Sequence, residues 1–288
     1  MDSSIRPGGV FTVQLLMKEP CEMPSIERMA DVLTRHIGRV EAVKPTDEIA
    51  ATMKGVTFFS AMDHIVHFSN GQGTAQVAIM PCETFHPEKI DEMKLNQMWD
   101  CRQDRDRILS ECRYCIFAND LLGGAMEPFE RANFLMDYLE ALVELFPTCE
   151  AVYSLNSGKL ILADVVRNRE AEGLDRYVRY IVNARFFNIN GTQDHVVDTL
   201  GLSLLYIEDL QYHFHDMDPN WVVGHAYNMA NYILTNHCPI KEGDTIDGVT
   251  DGNLNQSVQW KCHFEDAMIQ PGRAVLDIYM NEYAAGQR

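Results

Sequence analysis

The order in which the hydrophobic periods change along the chain constrains its fold more than any other feature. Residues 10–17 form a β-branched and apolar run bounded by Gly8-Gly9 and Pro20, which predicts a buried strand. A helical period follows. Ile26, Met29, Ala30, Leu33 and Ile37 share one face, Ser25 is placed to cap the first turn, and Gly38 suits a left-handed end. Residues 65–68 and 76–80 read as strands joined by a turn over 69–73. Residues 88–101 read as a helix that continues in broken form to Leu109, and 112–118 as a strand. Strand, helix, strand, strand, helix, strand is the split βαβ, ferredoxin-like order. The expectation is an α+β protein of two mixed halves, the first with that strand order.

The clearest helix spans about 128–146. Pro128 opens it, and Ala132, Leu135, Met136, Leu139, Leu142, Val143 and Phe146 form its stripe. Short strands at 151–155 and 160–163 follow, joined by Asn156-Ser157-Gly158. The charged stretch 164–176 has no clean period and predicts a division into domains of residues 1–165 and 166–288. Beyond it, 178–189 reads as a bent strand. Thr192 is read as the cap of a short helix running to Leu200, residues 202–214 read mostly as strand, and Asp218-Pro219 starts a strong helix. Residues 243–255 read as a polar loop before two last strands, 258–264 and 274–280.

Charge narrows the partners. The chain has 42 acidic and 24 basic residues, a formal net charge of −18. Both halves share the excess, so there is no acidic tail, and no basic patch large enough for a phosphate backbone. Nucleic acid and anionic membranes are disfavoured, and a protein partner of opposite charge is favoured. No apolar run is long enough for a membrane span, and the first residues lack the layout of a signal peptide. The eight scattered cysteines then read as reduced thiols, and the expected location is cytoplasmic.

Several stretches carry a family resemblance: Val13-Gln-Leu-Leu-Met-Lys-Glu-Pro-Cys-Glu-Met-Pro24, Gln97-Met-Trp-Asp-Cys101, Arg185-Phe-Phe-Asn-Ile189, Asp198-Thr-Leu-Gly201, Asp209-Leu-Gln-Tyr-His213, Asp218-Pro-Asn-Trp221 and Gly243-Asp-Thr-Ile-Asp-Gly248. Together they resemble the bacterial domain-of-unknown-function family 4261, whose named module would cover about the last third of the chain. The resemblance implies membership and no activity, cofactor or catalytic residue.

The one cluster that suggests chemistry is His213, His215 and Asp216. Two histidines at strand spacing share a face, and imidazoles beside a carboxylate can hold a divalent metal, with His225 or the Cys262-His263 pair completing the set. The plainer reading is a strand end running into the Asp218 cap. Cys112 and Cys115 form a lone CxxC and read as two core thiols facing opposite ways on a strand. His64 and His67 fall on opposite faces. The alternating charges from Asp100 to Arg107 read as a solvated surface, Ser154 to Lys159 as a hairpin turn, and Asp244, Asp247 and Asp251 as loop carboxylates lacking a calcium-loop order. No G-x-S-x-G, Walker loop, G-x-G-x-x-G or H-E-x-x-H is present. The sequence therefore favours a non-catalytic, immunity-type binding protein without a cofactor. The alternatives are a metal-dependent hydrolase or a small-molecule sensor at the His213, His215 and Asp216 region.

Overall fold

The computed structural model describes residues 9–44, 46, 52–68 and 71–286. They form an α+β protein of two compact units, 9–180 and 181–286. The boundary expected at 165/166 falls inside the first unit. The charged stretch there is docked, because the Arg176 guanidinium reaches Asp137 and Glu140, both at 2.8 Å. Two short helices within this stretch are too brief to show a period.

In the first unit the strands are β1 (Thr12–Met17), β2 (Val40–Val43), β3 (Thr57–Phe68), β4 (Gly71–Ile79), β5 (Glu83–Thr84), β6 (Tyr114–Leu121), β7 (Ala151–Ser154) and β8 (Leu160–Leu162). The helices are α1 (Ile26–Ile37), α2 (Glu92–Asn96), α3 (Arg105–Glu111), α4 (Pro128–Leu145), α5 (Ala163–Arg167) and α6 (Asp175–Tyr180). The sheet runs β2-β3-β4-β6-β1-β7-β8, with β5 also on β6, and every pair is antiparallel. The split βαβ order is not found among the described residues, along the chain or in the sheet: four strands, β2 to β5, stand between α1 and α2. That arrangement sets the first strand parallel to a neighbour, whereas β1 lies between β6 and β7, antiparallel to both. The crossover through α1 leads instead to β2 at the sheet edge, a strand too short and polar to stand out in the sequence. Part of the turn expected at 69–73, residues 69 and 70, lies outside the described residues.

Ser25 caps α1 by accepting from Arg28 N, and Gly38 follows with φ of 77°. α1 packs on α4, where Arg35 and His36 pair with Glu144. α4 is buried on nearly all sides, and each fully buried Leu or Phe on it contributes roughly 2 kcal/mol. Its Tyr138 hydroxyl donates to Ala78 O of β4 at 2.9 Å. Its Arg131 meets Asp120 of β6 in a buried pair. Asp120 Oδ2 accepts from Arg131 Nε at 3.1 Å and Nη2 at 2.8 Å, and Oδ1 accepts from Phe11 N at 2.6 Å. A Cβ on Gly123 would stand 2.1 Å from Asp120 Oδ2, so only glycine fits there. Cys101, Cys112 and Cys115 join one core cluster under β1, β7 and β8. Cys112 precedes the strand at the end of α3, so strand alternation does not separate it from Cys115.

The second unit has β9 (Asn183–Asn188), β10 (His195–Leu200), β11 (Asp209–Phe214), α7 (Pro219–Thr235), β12 (Thr245–Thr250), β13 (Asn253–Asp266) and β14 (Ala274–Tyr279). Its sheet runs β12-β13-β14-β11-β10-β9, antiparallel except for β11 beside β14. Two expectations are corrected. Residues 195–200 are strand, because the Thr192 hydroxyl closes a turn, donating to Ile189 O and accepting from Asp194 N, and caps no helix. The polar stretch 243–255 holds a hairpin, with Asp251 and Gly252 both at positive φ (51° and 77°). No helix among the described residues is long and apolar enough to cross a membrane.

Replacing Asp120 by Ala takes from the buried Arg131 charge its carboxylate partner. Urea denaturation is expected to show a loss of about 3–5 kcal/mol.

Candidate functional site

His213 and His215 lie at the end of β11. His213 Nε2 stands 3.7 Å from Asp194 Oδ2, and a Cβ on Gly286 would come within 3.2 Å of its ring. His215 lies past the strand end and pairs with its own neighbour, Nδ1 to Asp216 Oδ2 at 2.9 Å. The residues suggested to complete the set go elsewhere. Both ring nitrogens of His225 are engaged, Nδ1 with the Tyr212 hydroxyl and Nε2 with Asp247 O, each at 2.8 Å. Cys262 is buried, and desolvation pushes its thiol up to about 12. His263 bonds Glu242 at 2.7 Å. Among the described residues no three His, Cys, Asp or Glu side chains stand together as a metal site.

Two other constellations emerge. One is a polar row across four strands. Arg185, Asp198, Gln211 and Asp277 are register partners on β9, β10, β11 and β14, so alternation sends them to one face. Asp198 accepts from Arg185 Nε and from Arg273 Nη2, both at 2.8 Å. Asp209 accepts from Arg273 Nε at 3.2 Å and from Leu202 N at 3.0 Å. Burial is the main influence on Asp209 and raises its pKa, against the lowering effect of Arg273. The link 267–273 closes over this row. Gln270 O accepts from Arg185, Ile269 O and Pro271 O accept from Arg273, and Met268 N donates to Gln211. Every one of these contacts is internal, so the row holds the link on the sheet and offers nothing to solvent.

The other is an open cleft of about 480 Å³ between α7 and the β12 edge, lined by Asn228, Met229 and Tyr232 on one side and by residues 244–247 and Leu254 on the other. Its shape is fixed from below. Asp218 caps α7 by accepting from Asn220 N at 2.8 Å, which directs the helix over the sheet. His225 on that helix bridges Tyr212 of β11 and the Asp247 carbonyl of β12, and its ring lies 4.9 Å from that of Trp260. The β12–β13 register shifts between Asp247 and Gly248. A Cβ on Gly248 would stand 2.6 Å from the Trp260 indole, so the bulge and the glycine together admit Trp260 beneath the strand.

The cleft walls are mixed. Tyr232 is 46% exposed and Leu254 56%, an unusual amount of apolar surface to leave beside two carboxylates. Asp244 accepts from Lys241 N at 2.8 Å, and Asp247 accepts from Gln259 Nε2 at 2.6 Å. Among the described residues neither is ion-paired, and no Lys, Arg or His lines the cleft. Such walls can take a cation that carries an apolar body. The cleft is not legible in the sequence, because the polar composition of residues 243–255 reads as a loop. The missed signal was Asp251-Gly252, a type I′ hairpin pair between two runs able to form strands.

The stretch of this α+β unit that carries most of the polar row and the acid-lined cleft is similar to a known family. Residues 198–279 match the family model described as Domain of unknown function (DUF4261). The matched stretch lies within the second unit and includes every residue that lines the cleft. No curated protein and no solved structure matches the chain.

Burial holds His225 below its ordinary value of 6.5, so the folded chain keeps it neutral where the unfolded chain takes up a proton. Stability is then lost as pH falls through about 6.5. Urea denaturation between about pH 7 and pH 5.5 is expected to give a steeper loss for the natural chain than for His225→Gln, which has no titrating ring at that position.

Proposed function

We propose that the chain is a non-catalytic binding protein whose DUF4261 domain takes a basic segment of a protein partner in the cleft between α7 and β12. One observation carries this reading: among the described residues no Lys, Arg or His lines the cleft where Asp244 and Asp247 stand beside the exposed Tyr232 and Leu254. A lysine or arginine side chain supplies both halves of the match. Its charge answers the carboxylates, and its methylene stem lies along the apolar wall. The net charge of −18 adds a long-range attraction for such a partner and repels acidic competitors. The buried His225 bridge supports it further, since a cleft held in shape loses little entropy on binding.

Fluorescence anisotropy with a labelled lysine-rich peptide tests the reading. Saturable binding is expected, falling as salt rises from about 0.05 to 0.5 M, and absent for an acidic peptide of equal length. The double variant Asp244→Asn and Asp247→Asn keeps acceptor oxygens for Lys241 N and Gln259, and is expected to weaken binding by about tenfold or more. Equal binding by the double variant contradicts the proposal.

A further inference from the structure

β12 ends its sheet, so one side of the strand pairs with β13 and the other meets no strand among the described residues. Which groups point to which side follows from the register. Thr245 lies opposite Lys261, and Cys262 N donates to Asp244 O at 2.8 Å. A bond between the residues that flank an antiparallel pair makes Thr245 and Lys261 a non-hydrogen-bonded pair, so the Thr245 N–H and C=O are directed away from β13. Asp247, two residues on, takes the same orientation, and its carbonyl accepts from His225 Nε2 of α7 at 2.8 Å. Ile246, between them, turns its N–H and C=O toward β13. The free side of β12 therefore differs along its length. At Asp247 the carbonyl is closed by His225. Thr245 is exposed and lines the cleft, and neither of its backbone groups has a partner among the described residues.

Resting on the cleft as the site of a basic segment, we propose that this segment binds extended, as a strand added to β12 and bonded main chain to main chain at Thr245. An open strand edge is a template for another strand, and backbone bonds supply affinity while side chains select the sequence. The selection here is by charge. Asp244 and Asp247 flank Thr245 and, three residues apart, fall on opposite faces by strand alternation. Neighbouring residues of an added strand also face opposite ways, so two adjacent lysines or arginines answer both carboxylates. A second copy of this chain would bring the same carboxylates against these, and like charges oppose that pairing. The added strand also ends where the edge does: His225 occupies the Asp247 carbonyl, and the β12–β13 register shifts just beyond it.

Thr245→Pro is the direct test, because proline removes the outward N–H and no bond to β13, and edge strands accept it. Thr245→Ala removes the side chain and keeps the N–H. The probe is the labelled lysine-rich peptide, read by fluorescence anisotropy on the full chain. Thr245→Pro is expected to weaken binding by about tenfold or more, and Thr245→Ala by less than about twofold. Amide hydrogen exchange followed by NMR on the natural chain gives a second measure that does not depend on how the proline variant folds. With saturating peptide the Thr245 N–H is expected to exchange more slowly by about tenfold or more, while Ile246, bonded to β13 in both states, changes little. Peptide binding that leaves Thr245 exchange unchanged, or that Thr245→Pro retains in full, overturns the added strand and leaves the cleft as a binding site. A natural chain that binds no lysine-rich peptide overturns both.

Discussion

The second unit depends on two buried arginines set against two buried aspartates. Arg185 and Arg273 share Asp198, and Arg273 also reaches Asp209. Burying four charges costs several kcal/mol per ion unless each finds good partners, and backbone groups supply the rest here. Thr199 O, Ile269 O and Pro271 O accept from Arg273, and Leu202 N donates to Asp209. Removing any one member strands its partners away from water. The network therefore specifies one arrangement of β9, β10, β11 and β14 and one path for the link above them. With that sheet fixed, its other face is free to carry α7, and the cleft follows from where α7 meets β12.

The cleft and the network serve different ends. Charges in the network are fully matched and internal. Among the described residues the cleft carboxylates are matched by an amide on Asp247 and a backbone N–H on Asp244, beside exposed apolar groups. A chain that pairs most of its buried charges so thoroughly leaves these two open where a partner can reach them. On this contrast rests the proposal that the cleft is a recognition surface, with the network as its scaffold.

Much of the first unit was legible because its signals are local. Ser25 and Gly38 bracket α1, and Pro128 with a seven-residue stripe marks α4. Asp218-Pro219 marks the start of α7 in the same way. What failed was pairing. Nothing local says that α1 crosses to a four-residue edge strand, so the expected ferredoxin-like sheet did not form. In the second unit two turn pairs, Asn190-Gly191 and Asp251-Gly252, mark hairpins. They were outweighed by Thr192 read as a helix cap and by the polar composition of 243–255. The cost of those misreadings was large. Arg185, Asp198, Asp209 and Gln211 all lie in stretches that carry the family resemblance, yet their convergence is visible only once residues 195–200 are a strand. The His213, His215 and Asp216 cluster showed the opposite problem: closeness in sequence did not gather a third ligand, since Asp216 turns to His215 and His225 is committed to Tyr212 and Asp247.

Hydrogen–deuterium exchange on the chain with and without a saturating lysine-rich peptide tests the central claim most directly. The account predicts added protection over residues 228–234 and 244–254, with residues 9–180 unchanged. Protection confined to residues 9–180, or spread evenly over the acidic surface, would contradict it.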